Sequence, residues 1–193
     1  MKRFLSIIFT FFIITNLYTQ KKSKKLSIDS LTQKKTKSVG IITSYLDNND
    51  ELYLELSDSI FKKEILVVTR FVQLPSNYSG YINAGSKISE QVVMFEKRGE
   101  KIYLRQKSFS NIANEIDPIS ISVTKNNLTP ILGSFKILNK EKNRYLINVS
   151  SFFLKDSPGF NIIRKTERDK YKIGRADKNR SSIDSANSYP QNL

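Results

Sequence analysis

The chain has 193 residues, a formal net charge of +14, and neither cysteine nor histidine. The absence of cysteine excludes disulfides, thiolate metal sites and a cysteine nucleophile. The absence of histidine removes the most common general base and the most common zinc ligand, so a Ser-His-Asp triad is impossible. Carboxylate, lysine, tyrosine and serine chemistry remains possible but is much less common, and we expect no catalytic, cofactor-binding or metal-binding residue in this chain.

The N-terminal residues have the pattern of an export signal. Lys2 and Arg3 precede an uncharged apolar run, Phe4–Leu17, and a polar exit follows. This order is typical of a secretory signal peptide over residues 1–19, and cleavage after Thr19 would leave Gln20 as the new N-terminus. An uncleaved anchor is the alternative, but the run is shorter than the roughly 20 residues of a spanning helix. We expect export to the periplasm, the outer surface or the medium, with no membrane span after signal removal.

Residues 20–39 are polar and basic. They contain too few apolar residues to hold a fold, so the sequence predicts a disordered, flexible linker. Basic clusters attract polyanions, which makes a phosphate-binding arm one alternative and weak attraction to an anionic cell surface another. The stretch offers no aromatic ring for bases to stack on, and we expect no nucleic-acid partner.

A β-rich domain is expected over residues 40–193. Its first hairpin joins Ile41–Leu46 to Glu51–Leu56 through Asp47–Asp50, a run of residues that favour turns. Leucines alternate with polar residues in the second strand, as expected for a half-exposed antiparallel strand. Ser57–Lys63 follows as a candidate single helical turn.

The centre of the domain is a predicted hairpin over Ser89–Lys107, with its turn at Lys97–Glu100. Its first strand, Val92–Phe95, is apolar on both faces, which indicates a position inside the sheet. Glu64–Val72 has the same continuous apolar character and is the expected partner. If both strands are central, their apolar faces need cover on both sides, and part of that cover would come from segments after Leu193. Without it, we expect an unpaired strand edge and exposed apolar surface.

The segments after this hairpin give weaker signals. Leu74–Lys87 is a long loop to which no role is assigned. Asp117–Lys125 alternates like a strand, but Asp117 followed by Pro118 is a good helix start, and we predict a helix. A third hairpin is expected from Leu132–Leu138 and Arg144–Val149, then a short helix at Ser150–Leu154 and an exposed basic stretch at 161–181. The predicted fold class is α+β, mainly an antiparallel sheet built from hairpins, with one or two short helices.

Two patterns resemble catalytic motifs. Ser59–Lys62 and Ser122–Lys125 have the Ser-x-x-Lys spacing of penicillin-recognising enzymes, but that family's companion motifs are absent. Glu90 and Glu96 share a strand face, and we interpret them as part of a solvated surface. The chain alone is therefore predicted to be non-catalytic.

Several segments carry a resemblance that runs in order from Lys34 to the end of the chain. They are Leu56–Arg70, Gly85–Phe95, Phe135–Ile137, Asn148–Phe153, Asn179–Ile183 and Ser188–Asn192. Together they resemble the uncharacterised N-terminal region of secreted bacterial zinc-dependent metalloproteases of the met-zincin type. Two departures stand out: Asn148 replaces an acid, and the chain stops where the next strand of the family would begin.

The resemblance implies a catalytic domain downstream, with an extended H-E-x-x-H motif that binds zinc. On this interpretation the chain is a non-catalytic accessory region, incomplete at its C-terminal end, whose partner is the protease domain of the same parent chain. The alternative is a free-standing exported β-domain that binds a protein or glycan at the cell surface. Ile183–Leu193 trails off without a completed element, which favours the fragment.

Overall fold

The structure is a computed structural model that describes residues 26–74, 76, 78, 82–109, 113–114, 116–157, 159–160, 163 and 165–193. The predicted signal peptide lies outside the described residues. No helix in the described part of the chain is both long enough and apolar enough to cross a membrane.

Eight strands form one antiparallel sheet in the order β1-β2-β3-β8-β7-β6-β5-β4. The strands are β1 (Thr36–Ser38), β2 (Thr43–Leu46), β3 (Leu52–Ser57), β4 (Ile65–Arg70), β5 (Lys87–Arg98), β6 (Lys101–Lys107), β7 (Ile131–Glu141) and β8 (Arg144–Asn148). The helices described are α1 (Ile28–Thr32), α2 (Ile119–Asn126), α3 (Ser150–Phe153) and α4 (Lys165–Tyr171), with 3-10 turns at Asp58–Ile60 and Lys178–Arg180. The predicted fold class, mainly antiparallel β with short helices, is confirmed.

All three predicted hairpins form, because their turns are encoded locally. In the β2–β3 turn, Asp47 Oδ1 accepts hydrogen bonds from the backbone N–H groups of Asn49 and Glu51, at 2.9 and 3.0 Å. The β5–β6 turn places Gly99 at φ 54°, a conformation that glycine adopts without steric cost. The predicted helix after Pro118 is also confirmed, as α2.

The sheet curls around one hydrophobic core. The first half of β7 pairs with β6 and the second half pairs with β8, with register shifts in both ladders. Such irregularities bend a strand. Consequently Leu54 and Leu56 of β3 share a cluster with Val93 and Phe95 of β5, although three strands lie between β3 and β5 in the sheet.

The predicted linker over 20–39 differs from the structure where that stretch is described. Residues 28–32 form α1, capped by the Ser27 side chain, and residues 36–38 form β1. Ile28 is fully buried against Tyr45 and Leu146. The few apolar residues of this segment are therefore enough to order it, because Tyr45 and Leu146 supply the surface against which Ile28 packs.

The C-terminal segment 183–189 packs against the first two strands. The Ile41 N–H donates to Tyr189 O at 2.8 Å, and Ser44 Oγ donates to Ala186 O at 2.7 Å. Ser188 is buried, and its hydroxyl donates to Ile42 O. A Cβ on Gly40 would lie 2.2 Å from Tyr189 O, so only glycine fits there. The segment that the sequence predicted to trail off is tied to the sheet.

Candidate interaction surface

The last strand of the sheet, β4, is exposed on one face and along one edge. Its residues alternate, so Ile65 and Val67 pack against the core while Leu66 and Val68 are 58% and 43% exposed. The strand pairs with β5 on one side, and no described strand pairs with its other side. Among the described residues β4 is therefore an edge strand, not a central one, and its outer face lacks the cover that a central strand would need. A continuous apolar run fits a buried strand and an edge strand equally well.

A groove starts beside this strand. It has a volume of about 440 Å³ and includes Leu66, Val92, Gln106 and Phe109 in its lining. A second groove of about 680 Å³ lies between Phe109 and the α2 segment. The two grooves share residues 107–109. Their exposed lining is more apolar than polar, although Glu90, Gln106 and Lys107 contribute to it, and we call them together the apolar groove.

The α2 segment, residues 116–130, adds exposed apolar side chains beyond the groove. Ile116 is 87% exposed and Leu128 is 82% exposed, and Ile119 and Ile121 of α2 are both more than half exposed. No residue of α2 is buried. Large apolar patches on a protein surface mark interaction sites, and this segment concentrates several exposed apolar side chains, of which Leu128 also lines the groove. The outer face of β4, the apolar groove and the α2 segment form the candidate surface.

One partly buried ion-pair cluster fixes the wall of this groove. Arg105 on β6 is 6% exposed; its Nε donates to Glu96 on β5, and its Nη1 donates to Thr129 O at 2.8 Å. Burial alone would raise the pKa of Glu96, but hydrogen bonds from Arg98 and Arg105 lower it below its ordinary value. Glu96 therefore stays ionised, and Arg105 holds the chain after α2 against the sheet.

Cations surround both ends of β4. Lys62 and Lys63 precede the strand, and Arg70 ends it opposite Lys87 of β5. Lys87 forms an ion pair with Glu90 at 2.5 Å. Lys62 and Lys63 are exposed, and neither has an ion pair among the described residues. The ends of the open edge are therefore net positive.

A second polar cluster is structural. Glu55 on β3 accepts hydrogen bonds from Arg144 Nε at 2.7 Å and from the Tyr45 hydroxyl at 2.8 Å, and Arg144 also pairs with Asp29 of α1. Burial, together with Glu55, raises the pKa of Tyr45 to about 12. Each of these groups already has a partner, so the cluster joins α1, β2, β3 and β8 and leaves no group for chemistry.

The serines and glutamates that the sequence singled out make local contacts. Ser59 Oγ lies 2.7 Å from Ser57 Oγ, and Ser122 Oγ accepts a hydrogen bond from Asn126 Nδ2 at 3.2 Å. Glu90 forms an ion pair with Lys87, and Glu96 forms one with Arg98. Within the described residues, no group of three or more acidic side chains could hold a metal ion.

Comparison with protein families gives two adjacent matches. Residues 85–193, more than half of the chain, match a domain of unknown function, DUF5117, and the chain belongs to this family. Residues 25–74 match a second domain of unknown function, DUF5118. No curated protein and no solved structure matches the chain.

The two family regions build one sheet. Strands β1–β3 and β4 come from residues 25–74, and strands β5–β8 come from residues 85–193. In the sheet, β1–β3 lie at one end and β4 lies at the other, with the four strands of the second region between them. In the described sheet, β4 is therefore joined to β1–β3 through the four strands of the second region.

Proposed function

We propose that this chain is the non-catalytic N-terminal accessory region of an exported zinc-dependent metalloprotease. The resemblance of segments from Leu56–Arg70 to Ser188–Asn192 to the N-terminal regions of met-zincin proteases supports the parentage. The single structural observation in its favour is the apolar surface beside the open edge of β4. On this proposal, zinc belongs to the catalytic domain downstream, and this chain supplies no ligand to it.

The physical argument for a covering partner rests on exposure. Leu66, Ile116 and Leu128 are each more than half exposed. Burying apolar surface is favourable by about 25 cal/mol per Å², so covering several large side chains supplies several kcal/mol toward docking. A catalytic domain tethered to the same chain would reach this surface at a high effective concentration.

The alternative function is a free-standing exported β-domain that binds a protein or glycan at the cell surface. A polar groove of about 700 Å³ near the start of β7 favours it. Lys136, Lys155 and Lys178 line this groove together with Ser134 and Ser151. Lysines and hydroxyls are suitable donors for the oxygen atoms of an anionic sugar.

The size and metal content of the native protein separate the two functions. An antibody raised against residues 26–193 is used to isolate the protein from the cell envelope and medium of the producing organism. We expect a polypeptide much larger than 22.3 kDa with one zinc ion per chain and peptidase activity that a chelator abolishes. A zinc-free polypeptide of 22.3 kDa or slightly less would contradict the accessory role and favour the binding domain.

A further inference from the structure

We infer that β4 is a docking strand, to which an extended segment with acidic flanks pairs as an additional strand. The proposed function identifies the source of this segment as the protease domain, and the inference rests on it for that identity alone. The chemistry of the segment follows from β4 itself: apolar side chains at alternate positions, and aspartate or glutamate at both ends.

The edge of β4 lacks the features that usually prevent strand addition. Proteins protect exposed edges with proline, with lysine on the edge, or with bulges. Ile65–Arg70 contains neither proline nor lysine, and its register shift lies at the end of the strand, between Thr69 and Arg70. Over most of its length β4 therefore has regular strand geometry, and no strand among the described residues pairs with its outer edge.

The face of β4 selects the side chains of the partner. Leu66 and Val68 point to the exposed side, and Leu66 lies opposite Val92 of β5. An added strand places every second side chain next to this row, since residues alternate across a strand. Apolar residues at those positions would extend the row and enter the apolar groove beside Leu66 and Phe109.

The charges at the ends of β4 select the flanks of the partner. Lys62 and Lys63 lie before the strand, and Arg70 lies at its other end, where it leaves a net positive charge because Lys87 and Glu90 neutralise each other. The carboxylates on this side, Glu64 and Glu90, already pair with Lys107 and Lys87. An acidic flank is therefore attracted at each end of the strand, and a basic flank is repelled.

The same charges disfavour a second copy of this chain as the occupant. Two β4 strands paired antiparallel would bring Lys62 and Lys63 of one copy next to Arg70 of the other. Like charges across an interface suppress association, and the chain carries a net charge of +14. A different, acidic segment fits the edge better.

A peptide binding assay on the full chain tests the inference. The probe is a fluorescent peptide of alternating valine and threonine with two glutamates at each end. The controls are the same peptide with lysines in place of the glutamates, and one with every second backbone amide N-methylated. We expect the acidic peptide to bind at least about tenfold more tightly than the lysine peptide at low salt. N-methylation is expected to weaken binding by at least about tenfold, because it removes the strand hydrogen bonds.

Substitutions locate the binding site. Val68→Asp is expected to weaken binding of the acidic peptide about tenfold, since it adds a like charge to the docking face. Leu138→Asp is the matched control, because Leu138 is also 43% exposed but lies on β7, and it should leave binding unchanged. Circular dichroism melting of both variants checks that each remains folded.

Several outcomes would overturn the inference. These are no binding of the acidic peptide, equal binding of the lysine or N-methylated peptide, an equal loss in both variants, or dimers crosslinked through β4. The assay is independent of the protease parentage. If the chain binds the peptide but the native protein isolated with the antibody proves to be zinc-free, the proposed function is refuted and the docking strand stands. If the native protein is a zinc peptidase but the chain does not bind the peptide, the docking strand is refuted and the proposed function stands.

Discussion

Replacing Ile147 with alanine tests whether the two family regions share one core. Ile147 lies on β8, is fully buried, and is paired with Leu54 of β3 on one side and Ile137 of β7 on the other. The substitution removes three carbon atoms, at about 0.8 kcal/mol each, and leaves a cavity. We expect a loss of about 3 kcal/mol in the free energy of unfolding, within the range of 2–5 kcal/mol typical of such sites.

The assay is urea unfolding followed by circular dichroism, with thermal unfolding alongside. For a domain of this size, about 3 kcal/mol corresponds to a fall in Tm of roughly 6–12 °C. Ile147→Val should cost about 1 kcal/mol, and Leu66→Ala on the exposed face of β4 should cost less than about 0.5 kcal/mol. A single transition is expected in every variant. The reasoning would be refuted if Ile147→Ala matched Leu66→Ala, or if the two regions unfolded in separate transitions.

Three further predictions concern the C-terminal segment, acid and salt. Gly40→Ala should detach segment 183–189, because its Cβ would clash with Tyr189 O. Faster hydrogen exchange in that segment would show the detachment. Gly174→Ala is the control and should have no effect, because the space around Gly174 is open. Burial raises the pKa of Glu55, but hydrogen bonds from Arg144 and Tyr45 outweigh it and lower the pKa below the ordinary 4.5. The contribution of Glu55 to stability is therefore full above pH 4.5 and is lost as the pH falls through the lowered pKa. The difference in unfolding free energy between the native chain and Glu55→Gln should shrink in acid. A difference that stays constant with pH would contradict this. Light scattering should rise with salt, because screening removes repulsion between the basic surfaces and leaves the apolar ones; a fall with salt would show that charge drives association.

The hairpins were predictable because their signals are local. Asp47 and Gly99 specify their turns, and alternating leucines specify the inner face of β3. The helix after Pro118 was equally local. In contrast, the order of α1 and β1 depends on distant residues: the Ile28 N–H donates to Glu141, 113 positions away. Because composition does not show these distant contacts, composition alone predicts a linker for that segment.

The part of the candidate surface around α2 was not predicted, although one sign of it was available. Ile119 and Ile121 are two positions apart, and residues with that spacing do not share a helix face, so a helix there had to expose at least one of them. The exposure of Leu66 had no such sign. Ile65–Val68 are all apolar, and which of them face water depends on where the sheet ends.

The most direct test of the shared sheet is to divide the chain between the two family regions. Fragments 1–84 and 85–193 are purified separately and then mixed in equal amounts. We expect neither fragment alone to show cooperative unfolding. Fragment 1–84 lacks the four strands between β3 and β4, and fragment 85–193 lacks the leucines of β3 that belong to its core. The mixture should regain the circular dichroism spectrum of the intact chain, with a Tm that rises with concentration. Cooperative unfolding of either fragment alone, unchanged on mixing, would contradict the shared sheet.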